Sequence, residues 1–369
     1  MSSPVASSRG RNLALLAALL GWMFDGMEMG LFPLVGNDAL RDLLGDAAPQ
    51  SEVNNWYKIA IACFLVGAAT GGVVFGWLGD KIGRVRAMTV SVLLYSLCSG
   101  FSAASSSPLQ LAMLRFLGAL GMGGEWALGV ALVMEVWPNT SRAWLAGWIG
   151  AFGNLGYTVC GLISYGLKQT TANELQNWIA NAGLPLQLAE SLTSHGNWRL
   201  LMLAGAIPAM MTLFIRLFVP ESEKWTREKE AGTASNWSER DLLGVLIGAS
   251  AACGLIVLWG PVNNLDLGMR IAGTIVGLLI VIVGYLTPAW RFLGRCKLSG
   301  NQRRETILRM LLAAGLSGVP LLGTWAGLMW MYQWVGSLPN VEAIHVQEAK
   351  AKLQIVSSLS AAVGCILAA

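Results

Sequence analysis

Gly76-Trp77-Leu78-Gly79-Asp80-Lys81-Ile82-Gly83-Arg84-Val85-Arg86 is the stretch on which the reading of this chain turns. It begins where one apolar run, 56–78, gives out and ends where the next, 86–105, begins. One acid and three bases stand in a turn of a few residues. That is more charge than a connection between two apolar segments needs for positive-inside bias alone.

The runs on either side repeat along the chain. Of 369 residues, 54% are hydrophobic and 12% charged, against about 25% charged in a soluble domain. Runs long enough to cross a bilayer, about 20 residues each, lie at 12–35, 56–78, 86–105, 109–136, 143–167, 199–219, 242–260, 268–290, 307–335 and from 353 to the end. The fold class is therefore an all-α membrane protein. Continuous runs rather than period-two alternation argue against an outer-membrane barrel. The last run stops at Ala369 without a polar tail, and the chain is expected to continue beyond it. The two acids in the first run argue against a cleaved signal peptide.

Composition narrows the chemistry. The six cysteines are scattered with no CxxC, and the two histidines, His195 and His345, lie in polar loops. Neither a metal site nor a cofactor is expected. A net charge of +4 without a basic stripe gives no reason to expect nucleic acid. With the N-terminus inside, 17 of the 25 Lys and Arg fall on the inner side, as the positive-inside rule requires of an inner-membrane protein with a cytoplasmic N-terminus.

Ionisable groups inside a span are costly and mark function. Asp25 and Glu28 lie three residues apart in the first span, and Arg115 and Glu125 lie in the fourth. At ~1.5 Å per residue, Asp25 and Glu28 stand about 19 and 24 Å above the inner end, and Arg115 roughly 21 Å. These three form one expected layer. Glu125, about 15 Å deeper than Arg115, belongs to a lower one. Glycines crowd the second, fourth and fifth spans, where small residues let helices approach closely.

The turn at 76–86 resembles the signature loop G-x-L-x-D-x-x-G-R-[KR]-x of the major facilitator superfamily, with Val85 at a position that is often basic. Three more stretches resemble that superfamily. They are the run from Arg115 to Gly124-Glu125-Trp126, the Glu135-Val-Trp-Pro138 stretch followed by Arg142, and Pro220-Glu-Ser-Glu-Lys-Trp225. The last is similar to the PESPRW motif of sugar and organic-acid porters, with Glu223 and Lys224 in place of Pro and Arg. The metabolite–proton and sialate–proton symporters and the sugar porters are the branches it resembles.

The resemblance implies a secondary transporter with a six-helix bundle over 1–220, a cytoplasmic linker over 221–241, an extra hairpin over 242–292 and the start of a second bundle over 293–369. It implies proton-coupled symport of a small organic acid or sugar, rather than an enzyme. An uncoupled facilitator, an exporter and a transporter-derived sensor are the alternatives. Asp25, Glu28, Arg115 and Glu125 are the expected proton-coupling groups. Arg115, Trp126, Asn154, Tyr157, Trp325, Trp330 and Gln333 are the expected lining of a solute site. Gly76, Asp80, Gly83, Arg84, Glu135, Arg142 and Glu221 are the expected cytoplasmic gate. The expected partners are a small polar or anionic solute, protons and the lipid bilayer, and the expected state is a monomer.

Overall fold

The computed structural model describes residues 8–136, 142–210, 221, 223–230, 240–260, 265–296, 299–336 and 343–369. Every regular element among them is helical. Seven of the described helices are long and apolar enough to cross a membrane by length and composition. The chain forms two compact units, residues 1–234 with 351–369, and residues 235–350.

In the first unit, α1 (Ser8–Leu44) and α2 (Gln50–Ile82) run for 37 and 33 residues. At ~1.5 Å per residue both are longer than an apolar core of about 30 Å, so their ends reach past the expected spans. α3 (Arg84–Ser102), α4 (Pro108–Val136) and α5 (Arg142–Gln169) follow. α2 and α3 pack on α4, and α1 packs on both α5 and α4. The close approaches are made by glycine. A methyl on Gly26 would run into the Gly153 carbonyl, and one on Gly71 into the Leu120 carbonyl. The small residues read from the sequence thus let α1 meet α5, and α2 meet α4, backbone against backbone.

The stretch 168–198 forms two short helices, α6 (Ala172–Asn181) and α7 (Leu186–Thr193), and a 3₁₀ turn at His195–Asn197. Thr171 and Glu174 close a capping box at the start of α6. The sixth expected span, 199–219, opens as α8 (Trp198–Ala204), loosens into turns at 205–208 and is helical again at 209–210. Gly205 sits against Ser99 and Leu31 with no room for a side chain, and Pro208 has no N–H to continue a helical ladder. Residues 211–219 of that span lie outside the described residues. α9 (Glu223–Glu230) is short and polar.

In the second unit, α10 (Asp241–Trp259) and α11 (Leu267–Arg295) form a hairpin, brought close where Gly244 meets Gly284. Asp241 is buried at one end and pairs with Arg295, with Arg291 4.0 Å away. Ile271, Ile275, Leu279 and Val283 are exposed along α11, as suits a helix facing lipid. α12 (Gly300–Leu322) passes through a π-helical turn, Gly323–Leu328, into α13 (Met329–Gly336). Pro320, which cannot donate to the ladder, accounts for the change of pitch. α14 (Ala343–Leu367) crosses into the first unit, where its residues from 351 onward pack along α5.

Candidate functional site

The buried ionisable groups of the first unit sort into two neighbouring clusters on α1. In the first, the Arg115 Nη1 donates to Glu28 Oε1 at 2.6 Å, and the Ser99 hydroxyl donates to Glu28 Oε2 at 2.5 Å. Both charged side chains are 3% exposed. The guanidinium lies over the rings of Phe64 and Phe32, 4.4 and 5.1 Å from their centroids, and Tyr57 and Tyr157 stand nearby. Its Nε is buried without an acceptor. The carboxylate is thus balanced, and one donor of the cation is spare.

The second cluster is not balanced. The Asp25 carboxyl adjoins that of Glu125, and Tyr95 adjoins Glu125. Both acids are 1% exposed. No Lys, Arg or His is set against either among the described residues, and all four carboxyl oxygens lack an ordinary hydrogen-bond donor. Gly21 makes the approach possible, because any side chain there would occupy the place of the Glu125 carboxyl.

This arrangement corrects the layering expected from residue counts. Asp25 shares its level with Glu125 rather than with Arg115. Side chains tilt toward the N-terminus of their own helix. The contacts Glu28–Arg115 and Gly21–Glu125 show that α1 and α4 run antiparallel. Asp25 therefore leans toward Glu125 and Glu125 leans toward Asp25, which Cα heights alone do not reveal.

The expected solute-lining residues are dispersed. Tyr157 stands beside Arg115. Asn154 turns back on its own helix, donating to the Gly150 carbonyl at 2.8 Å. Trp126 is half exposed and packs edge-on against Trp22. Trp325, Trp330 and Gln333 stand in the second unit, Trp325 on the π-helical turn and Trp330 exposed on α13. Three groups that the sequence reading passed over belong to the site. Tyr95 and Ser99 are four residues apart on α3, one turn of a helix otherwise lined with small polar groups. Gln354 on α14 is fully buried, its amide donating to the Tyr157 carbonyl at 2.9 Å while its Oε1 has no partner. An amide inside an apolar run was the signal for Gln354.

At the other end of the first unit, the turn between α2 and α3 is built as the sequence suggests. Asp80 and Arg84 pair at 2.6 Å. Gly83 has a φ of 113°, which favours glycine, and the Glu221 carboxylate fills the space where a side chain would project. Glu221 accepts from the Val85 N–H at 3.0 Å, capping α3, and the Trp225 indole donates to the Asp80 carbonyl at 2.8 Å. Gly76 faces open space. The side chains of Glu135 and Arg142 lie outside the described residues.

Residues 13–249 match the model of the family described as sugar (and other) transporter. The chain belongs to that transporter family, within the major facilitator superfamily. The family's relatives include the low affinity inorganic phosphate transporter 4 of Petunia hybrida, 30% identical over 47% of this chain and 33% of the relative. Another is the cis,cis-muconate transport protein of Acinetobacter baylyi, 29% identical over 59% of this chain and 45% of the relative. Among solved structures, the inward-open xylose transporter XylE of E. coli superimposes with a TM-score of 0.51 at 15% identity, covering 94% of each chain. At that identity the likeness shows the fold. The chain spans about half the length of the curated relatives it matches. It is a multi-pass membrane protein of a transporter family, and the four sequence motifs lie within its matched region.

Proposed function

We propose that this chain works as the substrate- and proton-binding part of a symporter for a small anion, moving solute by alternating access at a midplane site. Residues 1–220 are its six-helix bundle, 242–292 an added hairpin and 293–369 the start of a second bundle, joined by a linker over 221–241. The N-terminus lies in the cytoplasm, the membrane is the inner membrane and the unit is a monomer.

The observation that carries this reading is the pair of carboxyls at Asp25 and Glu125 without a cation, one turn from the balanced pair Glu28–Arg115. Two touching carboxyls in an apolar surround do not both stay ionised, so the pair holds a proton between them. An anion arriving at Arg115 competes with Glu28 for the guanidinium, and a released Glu28 joins the same acidic cluster. Proton and anion occupancy are then linked by charge. The phosphate and muconate in the names of two relatives suit a guanidinium with a spare donor. Organic acids and phosphate are therefore the first solutes to test, with xylose as the neutral comparison. Asp80, Gly83, Arg84 and Glu221, with Glu135 and Arg142, form the cytoplasmic gate.

Reconstituted protein is assayed for uptake of phosphate, muconate and xylose, with and without a pH gradient. Asp25→Asn is expected to abolish uptake driven by the gradient and to retain counterflow, and Glu125→Gln to behave alike. Arg115→Ala is expected to lose both. Concentrative uptake that persists in Asp25→Asn, Glu28→Gln and Glu125→Gln alike rejects the coupling site.

A further inference from the structure

In the second unit, α10 and α11 are brought together where Gly244 meets Gly284, and a methyl on either glycine would strike the opposite helix. With no side chain at that crossing, a cleft of about 510 Å³ is left along the hairpin. Leu243 and Ile247 line it from α10, and Leu279, Ile280 and Val283 from α11. All five remain exposed in the hairpin.

The two ends of the cleft differ. Toward Leu279 it is apolar, and at the other end stand Thr287 and Arg291. The Arg291 side chain is 48% exposed. Its Nη1 donates to the Arg240 carbonyl at 3.0 Å and lies 4.0 Å from Asp241. That acid is already matched, because Arg295 donates to both of its oxygens. One carboxylate thus faces two guanidinium groups, and each guanidinium has five N–H donors. Positive charge is in excess at this mouth, and donors remain to be used. Arg303 adds to the excess beside Trp290, 3.9 Å from the ring centroid, with its Nε buried and without an acceptor. The next acid along the chain, Glu305, pairs with Arg309.

Length indicates the occupant. Arg291 lies twelve residues from Leu279, about 18 Å of helix at ~1.5 Å per residue. One leaflet of a hydrocarbon core of about 30 Å is about 15 Å deep. A molecule with an anionic head and an apolar tail one leaflet long therefore meets both ends of the cleft. The planar fork of arginine suits a phosphate, and the bilayer around a multi-pass protein supplies the tail.

We propose that the hairpin carries a site for an anionic phospholipid, with one acyl chain along the cleft and the phosphate on Arg291. Basic pockets between membrane helices are where such head groups bind. The lipid adds packing to two helices that bury little of their own surface in this chain. Which leaflet supplies it follows from the orientation proposed above. The cleft itself depends neither on that orientation nor on the proton site at Asp25.

Native mass spectrometry of the full chain, titrated in detergent with phosphatidylglycerol or with phosphatidylcholine of the same acyl chains, tests the site. Phosphatidylglycerol is expected to bind about five-fold more tightly, the weight of one juxtamembrane arginine. Arg291→Gln is expected to remove that preference and to keep the weaker binding that both lipids share. Val283→Trp, which fills the cleft, is expected to weaken both. Arg309→Gln removes an equal charge outside the cleft lining and is expected to change neither. Arg291 and Val283 are both exposed, so neither variant disturbs a packed core. Equal binding of the two lipids by the unmodified chain overturns the proposal. So does unmodified binding in either Arg291→Gln or Val283→Trp, which leaves the cleft to a protein helix, and so does an equal loss in Arg309→Gln, which reduces the effect to overall charge. The measurement needs neither solute nor a proton gradient, so its outcome is separate from that of the transport assay.

Discussion

Asp25 and Glu28 stand three residues apart on α1, but neutralising them removes different things. Glu28 is the counter-charge of a fully buried guanidinium. Glu28→Gln keeps the shape and leaves Arg115 uncompensated, and breaking a buried pair in this way costs about 3–5 kcal/mol. Asp25 faces another carboxyl and no cation, so Asp25→Asn leaves no orphaned charge. In thermal melts of purified protein, Glu28→Gln is expected to lower the midpoint markedly and Asp25→Asn to leave it unchanged or raise it. Equal losses in the two variants contradict the two-cluster geometry. The sequence displayed all four ionisable residues plainly, because a charge inside an apolar run is hard to miss. It did not display their pairing. Heights counted along a helix axis set Asp25 level with Arg115, whereas the tilt of side chains on antiparallel helices brings Asp25 to Glu125. Tyr95 and Gln354 escaped notice for a related reason: neither carries a charge, and only packing shows that Tyr95 is buried beside Glu125 and Gln354 against Tyr157.

Among the elements, the α2–α3 turn is where sequence and structure agree most closely, because its signals are local. A glycine at a φ of 113°, an acid four residues before a base and a capping acid each act within a few ångströms. Gly83→Ala forces a side chain into the left-handed region and into the Glu221 carboxylate, with a cost of about 1–3 kcal/mol. Gly76→Ala meets open space and exchanges a flexible residue for a better helix former. Gly83→Ala is therefore expected to lower thermal stability and slow counterflow, while Gly76→Ala does neither. The comparison is diagnostic because the two glycines lie in one motif, Gly76 inside α2 and Gly83 just past its end. Should both variants behave alike, the motif's glycines act through something other than turn geometry. In the sixth expected span the helix loosens into turns at 205–208, where Gly205 is pressed against Ser99 and Leu31 of other helices, and that contact is not written in the span's own sequence.

For the molecule as a whole, the superfamily was legible from one loop and three supporting motifs, and the family match over residues 13–249 agrees with it. The arrangement of the extra hairpin depends instead on counting. If α10 and α11 are both complete spans, the chain crosses the membrane twice between the 221–241 linker and Cys296, which lies at the C-terminal end of α11. Cys296 then falls on the same side as the Asp80–Arg84 loop. The charges concur: Asp241, Arg291, Arg295 and Arg303 gather at that end of the hairpin, and basic residues concentrate on the cytoplasmic side. The other five cysteines, Cys63, Cys98, Cys160, Cys253 and Cys365, lie within helices of the membrane region, two of them buried. A single-cysteine variant retaining Cys296 is expected to resist a membrane-impermeant maleimide in intact cells and to react once the membrane is permeabilised. A second variant with Ser194→Cys, on the cap between α7 and α8, is expected to react in intact cells without permeabilisation. Ready labelling of Cys296 in intact cells, with protection at position 194, reverses the orientation. Labelling of both positions in intact cells means that the hairpin does not cross the membrane as two spans, and the count of ten segments fails with it.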